Sequence, residues 1–168
     1  MGFTSVPREI RLKEWISRYS DDVLRTCFVL LSDQSLAEDA MQDTFTKAWK
    51  NMSQFEGREN ASPKTWLMRI AVNTCKDTLR SSWMRHIDRR QEIEALPLSI
   101  ASCPEEKLAL TQAIMALAPK YKEIVLLYYY QDLTLRTCAQ ILGISAPTAT
   151  RRLQQAQKKL RIQLEERG

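Results

Sequence analysis

The chain has little of what most enzymes and secreted scaffolds depend on. Its 168 residues include four glycines and one histidine. The four cysteines, Cys27, Cys75, Cys103 and Cys138, lie far apart and form no CxxC pair, which argues against a zinc site or a disulfide framework. His86 stands in a basic stretch with no cysteine or carboxylate at ligand spacing. There is no glycine-rich phosphate loop, no nucleophile and base arrangement and no metal motif, so no catalytic residue, metal or cofactor is expected. No apolar run approaches the roughly 20 residues that cross a bilayer. The opening MGFTSVPREIRLKEW lacks the hydrophobic centre of a signal peptide, so a cytoplasmic protein without membrane insertion is expected.

Alternating strand patterns are also missing, and apolar residues recur at helical spacing nearly throughout. The expected fold is all-α: two small helical domains joined by a flexible linker. Residues 7–88 form the first, 89–104 the linker and 105–166 the second. Pro97, Ser99, Ser102 and Pro104 punctuate the linker, where periodicity fades.

Charge is uneven. The net charge is +5, yet Asp21 to Asp43 holds six acids against Arg25 alone, net −5, and Lys64 to Arg90 holds seven bases against two acids, net +5. The first stretch suits a basic partner and the second an acidic one.

The segment LRTCAQILGISAPTATRRLQQAQKK, Leu135 to Lys159, reads as two short helices around a tight turn. Thr134 is placed to cap the first and Gly143 to close it; Ser145 is placed to cap the second. Pro147 falls in that helix's first turn, where a missing N–H costs no hydrogen bond. Ala149, Leu153, Ala156, Leu160 and Leu164 form its inward stripe. Thr148, Arg151, Arg152, Gln155 and Lys159 lie on the other face, the pattern of a recognition helix in a helix-turn-helix. Arginines there bond guanine edges or phosphates; a solvated basic face on a surface helix is the alternative.

Further elements follow from periodicity. Pro7 opens a helix with Ile10, Trp15, Ile16 and Tyr19, and Ser20 caps a second with Val23, Leu24, Cys27, Phe28 and Leu31. Ser35 to Glu38 has the capping-box form. In the helix it starts, Leu36, Ala40, Met41, Ala48 and Met52 face inward, leaving Asp39, Gln42, Asp43 and Thr46 outward. Phe55 to Ala61 reads as a loop, and Ser62-Pro63 restarts a helix. There Met68, Val72, Cys75 and Leu79 form a packing stripe. Trp66, Arg69, Asn73, Lys76 and Arg80 form a second stripe, whose aromatic and cations suit unstacked bases and single-strand backbone. The competing assignment places Trp66 in the core. In the second unit, Leu108, Leu110, Ile114 and Leu117 mark a helix that stops at Pro119, and Ile124, Val125, Leu127 and Tyr128 mark the next.

AEDAMQDTF (Ala37 to Phe45), KTWLMRIAVNTCKDTLR (Lys64 to Arg80), the linker and the terminal helix-turn-helix together resemble bacterial RNA polymerase sigma factors of the extracytoplasmic-function group. The resemblance implies that Asp39, Gln42, Asp43 and Phe45 dock on the β′ clamp helices of core RNA polymerase. It implies that the loop with Arg58 and Asn60, followed by Trp66, Arg69, Asn73, Lys76 and Arg80, melts the minus-ten promoter element and holds a flipped base, which offsets the unpairing cost. The terminal domain would read minus-thirty-five duplex through Thr148, Arg151, Arg152, Gln155 and Lys159 and rest on the β flap. Two weak contacts joined by a linker then act as one stronger contact. An anti-sigma factor is implied as a further partner. This chain departs from the group in having Pro147 where many members have glycine and Gln155 where they often have arginine. Two other readings stay open: a dimeric helix-turn-helix regulator acting without polymerase, and a helical adaptor that binds only protein.

Overall fold

The computed structural model describes residues 6–56, 62–84 and 105–167, all helical or connecting, with no strand among them. Arg58, Asn60 and the linker expected at 89–104 lie outside the described residues.

The first domain holds α1 (Arg8–Leu31), α2 (Gln34–Lys50), α3 (Met52–Glu56) and α4 (Pro63–Met84). Pro7 stands at the N-cap of α1. The expected break at Ser20 is absent: α1 is one 24-residue helix, because Trp15, Val23 and Cys27 bury against a common core and nothing local outweighs that continuity. It ends where Ser32 turns left-handed at φ 56° and donates its N–H to the Phe28 carbonyl at 2.7 Å. Asp33, not Ser35, then caps α2, its Oδ1 accepting from the Leu36 N–H at 2.9 Å. Ser35 is exposed inside the helix, and Glu38 instead accepts from Gln34 Nε2 at 2.9 Å.

Helices α1, α2 and α4 pack on one another. Ala37, Ala40 and Ala48 on α2 are fully buried, so small side chains let that helix approach its neighbours closely. Met52, Leu67, Met68, Val72 and Cys75 fill the space between. Buried Thr44 is satisfied within its own helix, donating to the Ala40 carbonyl at 2.7 Å.

The second domain holds α5 (Glu105–Met115), α6 (Pro119–Val125), which runs on into a π-helical turn over Leu126–Tyr130, then α7 (Leu135–Leu142) and α8 (Ala146–Arg167). Pro119 occupies the first position of α6, so the expected stop is a start as well. Ile124, Leu126, Leu127, Cys138, Ala149, Leu153 and Ala156 form its core. Leu164, expected inside, is 37% exposed and lines a surface groove with Leu110 and Ile114.

The two domains also touch. Helices α1 and α4 meet α5, α6 and α7, an arrangement that no local pattern in the sequence predicts.

Candidate nucleic-acid interface

The helix-turn-helix is built by the capping residues. Thr134 Oγ1 accepts from the Thr137 N–H at 3.1 Å and starts α7. Gly143 closes it at φ 66°, a backbone state in which a Cβ is strained, and its N–H reaches the Gln140 carbonyl at 3.3 Å. Ser145 Oγ accepts from the Thr148 N–H at 3.3 Å and starts α8, with Pro147 in its first turn. Ala149, Leu153, Ala156 and Leu160 are buried. Arg151, Gln155 and Lys159 are exposed on the opposite face, with Thr148 and Arg152 partly covered. Tyr121, from α6, adds a support that the periodicity did not reveal. Its hydroxyl donates to Gln155 Oε1 at 3.1 Å, and Lys159 Nζ lies 5.5 Å from its ring centre. The result is a rigid helix presenting cations and an oriented amide, a shape that fits a major groove.

On α4 the second stripe divides. Asn73 and Arg80 are exposed. Trp66 is 7% exposed and closes a cluster with Trp15 at 5.9 Å and Phe55 at 5.4 Å between ring centres, the latter two standing edge to face at 5.0 Å. The core assignment of Trp66 therefore describes this conformation, because two rings distant in sequence wall it in. Phe55 belongs to the short helix α3 and not to a loop. Arg69 Nη2 donates to the Gln140 carbonyl at 2.8 Å, and Lys76 Nζ lies 3.8 Å from Glu123 Oε1, so both cations face the second domain.

On α2, Asp39, Gln42, Asp43 and Thr46 are all exposed. Phe45 is 7% exposed and lines an apolar groove between α1 and α2 with Leu12, Ile16, Met41 and Trp49. Sequence reasoning did not single out Ile16 and Trp49 for this groove, which leaves them 40% and 39% exposed. A second apolar groove on the C-terminal domain is lined by Leu110, Tyr129, Tyr130 and Leu164.

Two charged side chains are buried where the domains meet. Lys122 Nζ donates to the Val29 carbonyl, near the end of α1, at 3.3 Å. Burial pulls its ammonium below the usual lysine range. Burial pushes the neighbouring Glu123 carboxyl up, with Lys76 and Arg152 opposing. The thiol of Cys75 is pushed far above its ordinary range by its hydrogen bond with Cys27 and by burial, and that of Cys138 is pushed up to about 11 by burial. Among the described residues no group of three or more histidines, cysteines or carboxylates could hold a metal ion, and no helix is long and apolar enough to cross a membrane.

A helix-turn-helix on one domain and a polar, partly basic helix on the other define a two-domain helical DNA-binding protein. Residues 15–85 match the family model for sigma-70 region 2, and residues 107–160 that for sigma-70 region 4. RNA polymerase sigma factor SigV of Bacillus subtilis is 30% identical over 149 residues, 89% of this chain and 88% of that protein. ECF RNA polymerase sigma factor SigW of the same organism is 28% identical over 160 residues, 87% of this chain and 84% of that protein. In fold, the chain is similar to sigma factor RpoE from Bartonella quintana, solved in complex with the anti-sigma factor NepR: TM-score 0.76 at 21% identity, covering 92% of this chain and 97% of that one. The chain belongs to the RNA polymerase sigma factors of the extracytoplasmic-function group.

Proposed function

We propose that this sigma factor works by dividing core binding and promoter reading between its two domains, residues 7–88 and 105–166, with 89–104 as the connection. The exposed face of α2, Asp39, Gln42 and Asp43, docks on the β′ clamp helices, and the adjoining groove over Phe45 receives an apolar side chain from them. Acidic residues steer the encounter, and the apolar groove supplies a desolvated contact.

Strand capture falls to α4 and the loop before it. Arg69, Asn73, Lys76 and Arg80, with Arg58 and Asn60, hold the separated minus-ten strand. Trp66 contributes by fixing the helix against α1 and α3. The recognition helix reads minus-thirty-five duplex through Thr148, Arg151, Arg152 and Gln155, with Lys159 on phosphate, while the groove at Tyr129 and Tyr130 rests on the β flap.

The chain does no bond chemistry of its own: it lends promoter specificity to a polymerase that holds the active site. It acts in the cytoplasm. An anti-sigma factor regulates it by covering the polymerase-binding surfaces, a reading supported by the likeness in fold to a sigma factor solved with such a partner.

The observation that carries this assignment is the presence of both sigma regions, in order, within one chain. In vitro transcription with core polymerase tests it: start sites that depend on the chain support it, and their absence refutes it. A dimeric regulator would instead bind palindromic duplex tightly without polymerase.

A further inference from the structure

Two lysines gather on one ring beside the recognition helix. Lys120, in the first turn of α6, places Nζ 5.0 Å from the centre of the Tyr121 ring, and Lys159, on α8, places Nζ 5.5 Å from the same centre. Both lysines are exposed, whereas Tyr121 itself is buried. The ring is thus a fixed platform under two solvated cations.

Ammonium groups repel one another, and the negative face of an aromatic ring offsets only part of that cost. Among the described residues no carboxylate pairs with either lysine. A local excess of positive charge is left to be balanced from outside. Ala116 and Ala118, exposed in the connection before α6, border the hollow that Tyr121 and Lys159 also line. Such small side chains leave room for a group as bulky as a sugar-phosphate backbone.

The place of this seat relative to the recognition helix points to its ligand. Tyr121 donates its hydroxyl hydrogen to Gln155 Oε1, and Lys159 follows Gln155 by four residues, about 6 Å along α8. One side chain therefore organises both the amide offered to the bases and the cations next to it. Phosphate contacts fix the register of a protein on duplex, and base contacts then specify the sequence.

We propose that Lys120 and Lys159 together hold one backbone phosphate of the minus-thirty-five duplex, with Tyr121 as their common platform, so that DNA contact extends from the helix-turn-helix onto α6. The proposal rests on the assignment of α8 to that duplex and adds Lys120, which lies outside the helix-turn-helix. A compact ammonium on a flexible stem suits a phosphate as a point charge.

The test is binding of the full chain, assembled with core polymerase, to a labelled duplex that carries the minus-thirty-five element and stops short of the minus-ten. Each phosphate neutralised adds about 0.9 to the slope of log affinity against log salt. Lys120→Gln keeps the stem and removes the charge. Its slope is expected to be shallower by about 0.9, so that between about 50 and 200 mM salt it loses about 3.5-fold less affinity than wild type. The weakening should be equal on duplexes that differ at the base Gln155 reads. Lys120→Arg should restore the slope, and Tyr121→Phe, which keeps the ring, should leave it unchanged while base preference broadens. An unaltered slope in Lys120→Gln, a loss confined to one duplex sequence, or no rescue by Lys120→Arg overturns the phosphate seat. Weaker assembly of Lys120→Gln with core polymerase, at an unaltered slope, would give the lysines to a protein contact and equally overturns it. A wild type that binds duplex no differently from Lys120→Gln defeats the seat alone; a wild type with no affinity for any minus-thirty-five duplex defeats the assignment of α8 with it.

Discussion

The phenol of Tyr121, on α6, donates a hydrogen bond to Gln155 Oε1 at 3.1 Å, so the amide presented by the recognition helix is aimed by a neighbouring helix. Gln155 keeps one oxygen occupied, and its NH2 is the group left to meet a base or phosphate. In Tyr121→Phe the packing remains and the aim is lost. Stability should fall by only about 1 kcal/mol, while the preferred duplex sequence broadens at the position Gln155 reads. Selection of bound duplexes from a randomised pool, with polymerase present, checks this.

Gly143 gives a cleaner backbone test. A Cβ added there meets no atom within 4 Å, so Gly143→Ala isolates the strain of a left-handed residue at φ 66°. A loss of about 1–2 kcal/mol is expected, lowering the melting temperature by roughly 2–8 °C. Unchanged melting would show that the turn tolerates a side chain freely.

Trp66 separates a structural role from a direct DNA contact. Walled in by Trp15 and Phe55, it should cost about 3–5 kcal/mol when replaced by alanine. Denaturant unfolding of Trp66→Ala measures this. A stability close to wild type, with loss confined to promoter melting, would instead assign Trp66 to the strand.

How much was legible follows from how local each determinant is. Thr134, Gly143 and Ser145 act on backbone groups within three or four residues of themselves, so the helix-turn-helix could be read directly. Ser20 and Ser35 offered the same kind of signal and were misread. Burial of Trp15, Val23 and Cys27 carries α1 straight through Ser20, and Asp33, two residues earlier than Ser35, takes the cap. The stripe through Trp66, Arg69 and Lys76 has helical spacing, yet its partners are far away in sequence. Trp15 lies 51 residues from Trp66, and Gln140 lies 71 residues from Arg69. The Gln131 to Thr26 bond spans 105 residues. Periodicity reports which face is buried and not what buries it, so the contact between domains was invisible.

The raised thiol of Cys138 gives a pH dependence with a definite sign. Its folded pKa, about 11, lies above the ordinary 9.0, so the folded chain holds the proton longer than the unfolded one. Its contribution to stability is complete below about pH 9 and is lost as pH rises from 9 through 11. Cys75, shifted in the same direction, adds to the trend. Melting temperature should fall less steeply across pH 9–11 in Cys138→Ala than in wild type; equal slopes would show that this thiol is not responsible.

Asp39→Lys combined with Gln42→Ala should weaken binding to core polymerase by tenfold or more, equivalent to about 1.4 kcal/mol, without loss of helix, since both side chains are exposed. Retained affinity in a pull-down or fluorescence titration would remove α2 from the docking surface.

The account stands most directly on transcription initiation. Purified chain is mixed with core RNA polymerase and a library of genomic promoter fragments, and transcripts are mapped at their 5′ ends. A set of start sites present only with the chain, each with a shared upstream duplex element and a shared melted element, is the expected result. Transcripts identical with and without the chain would contradict it.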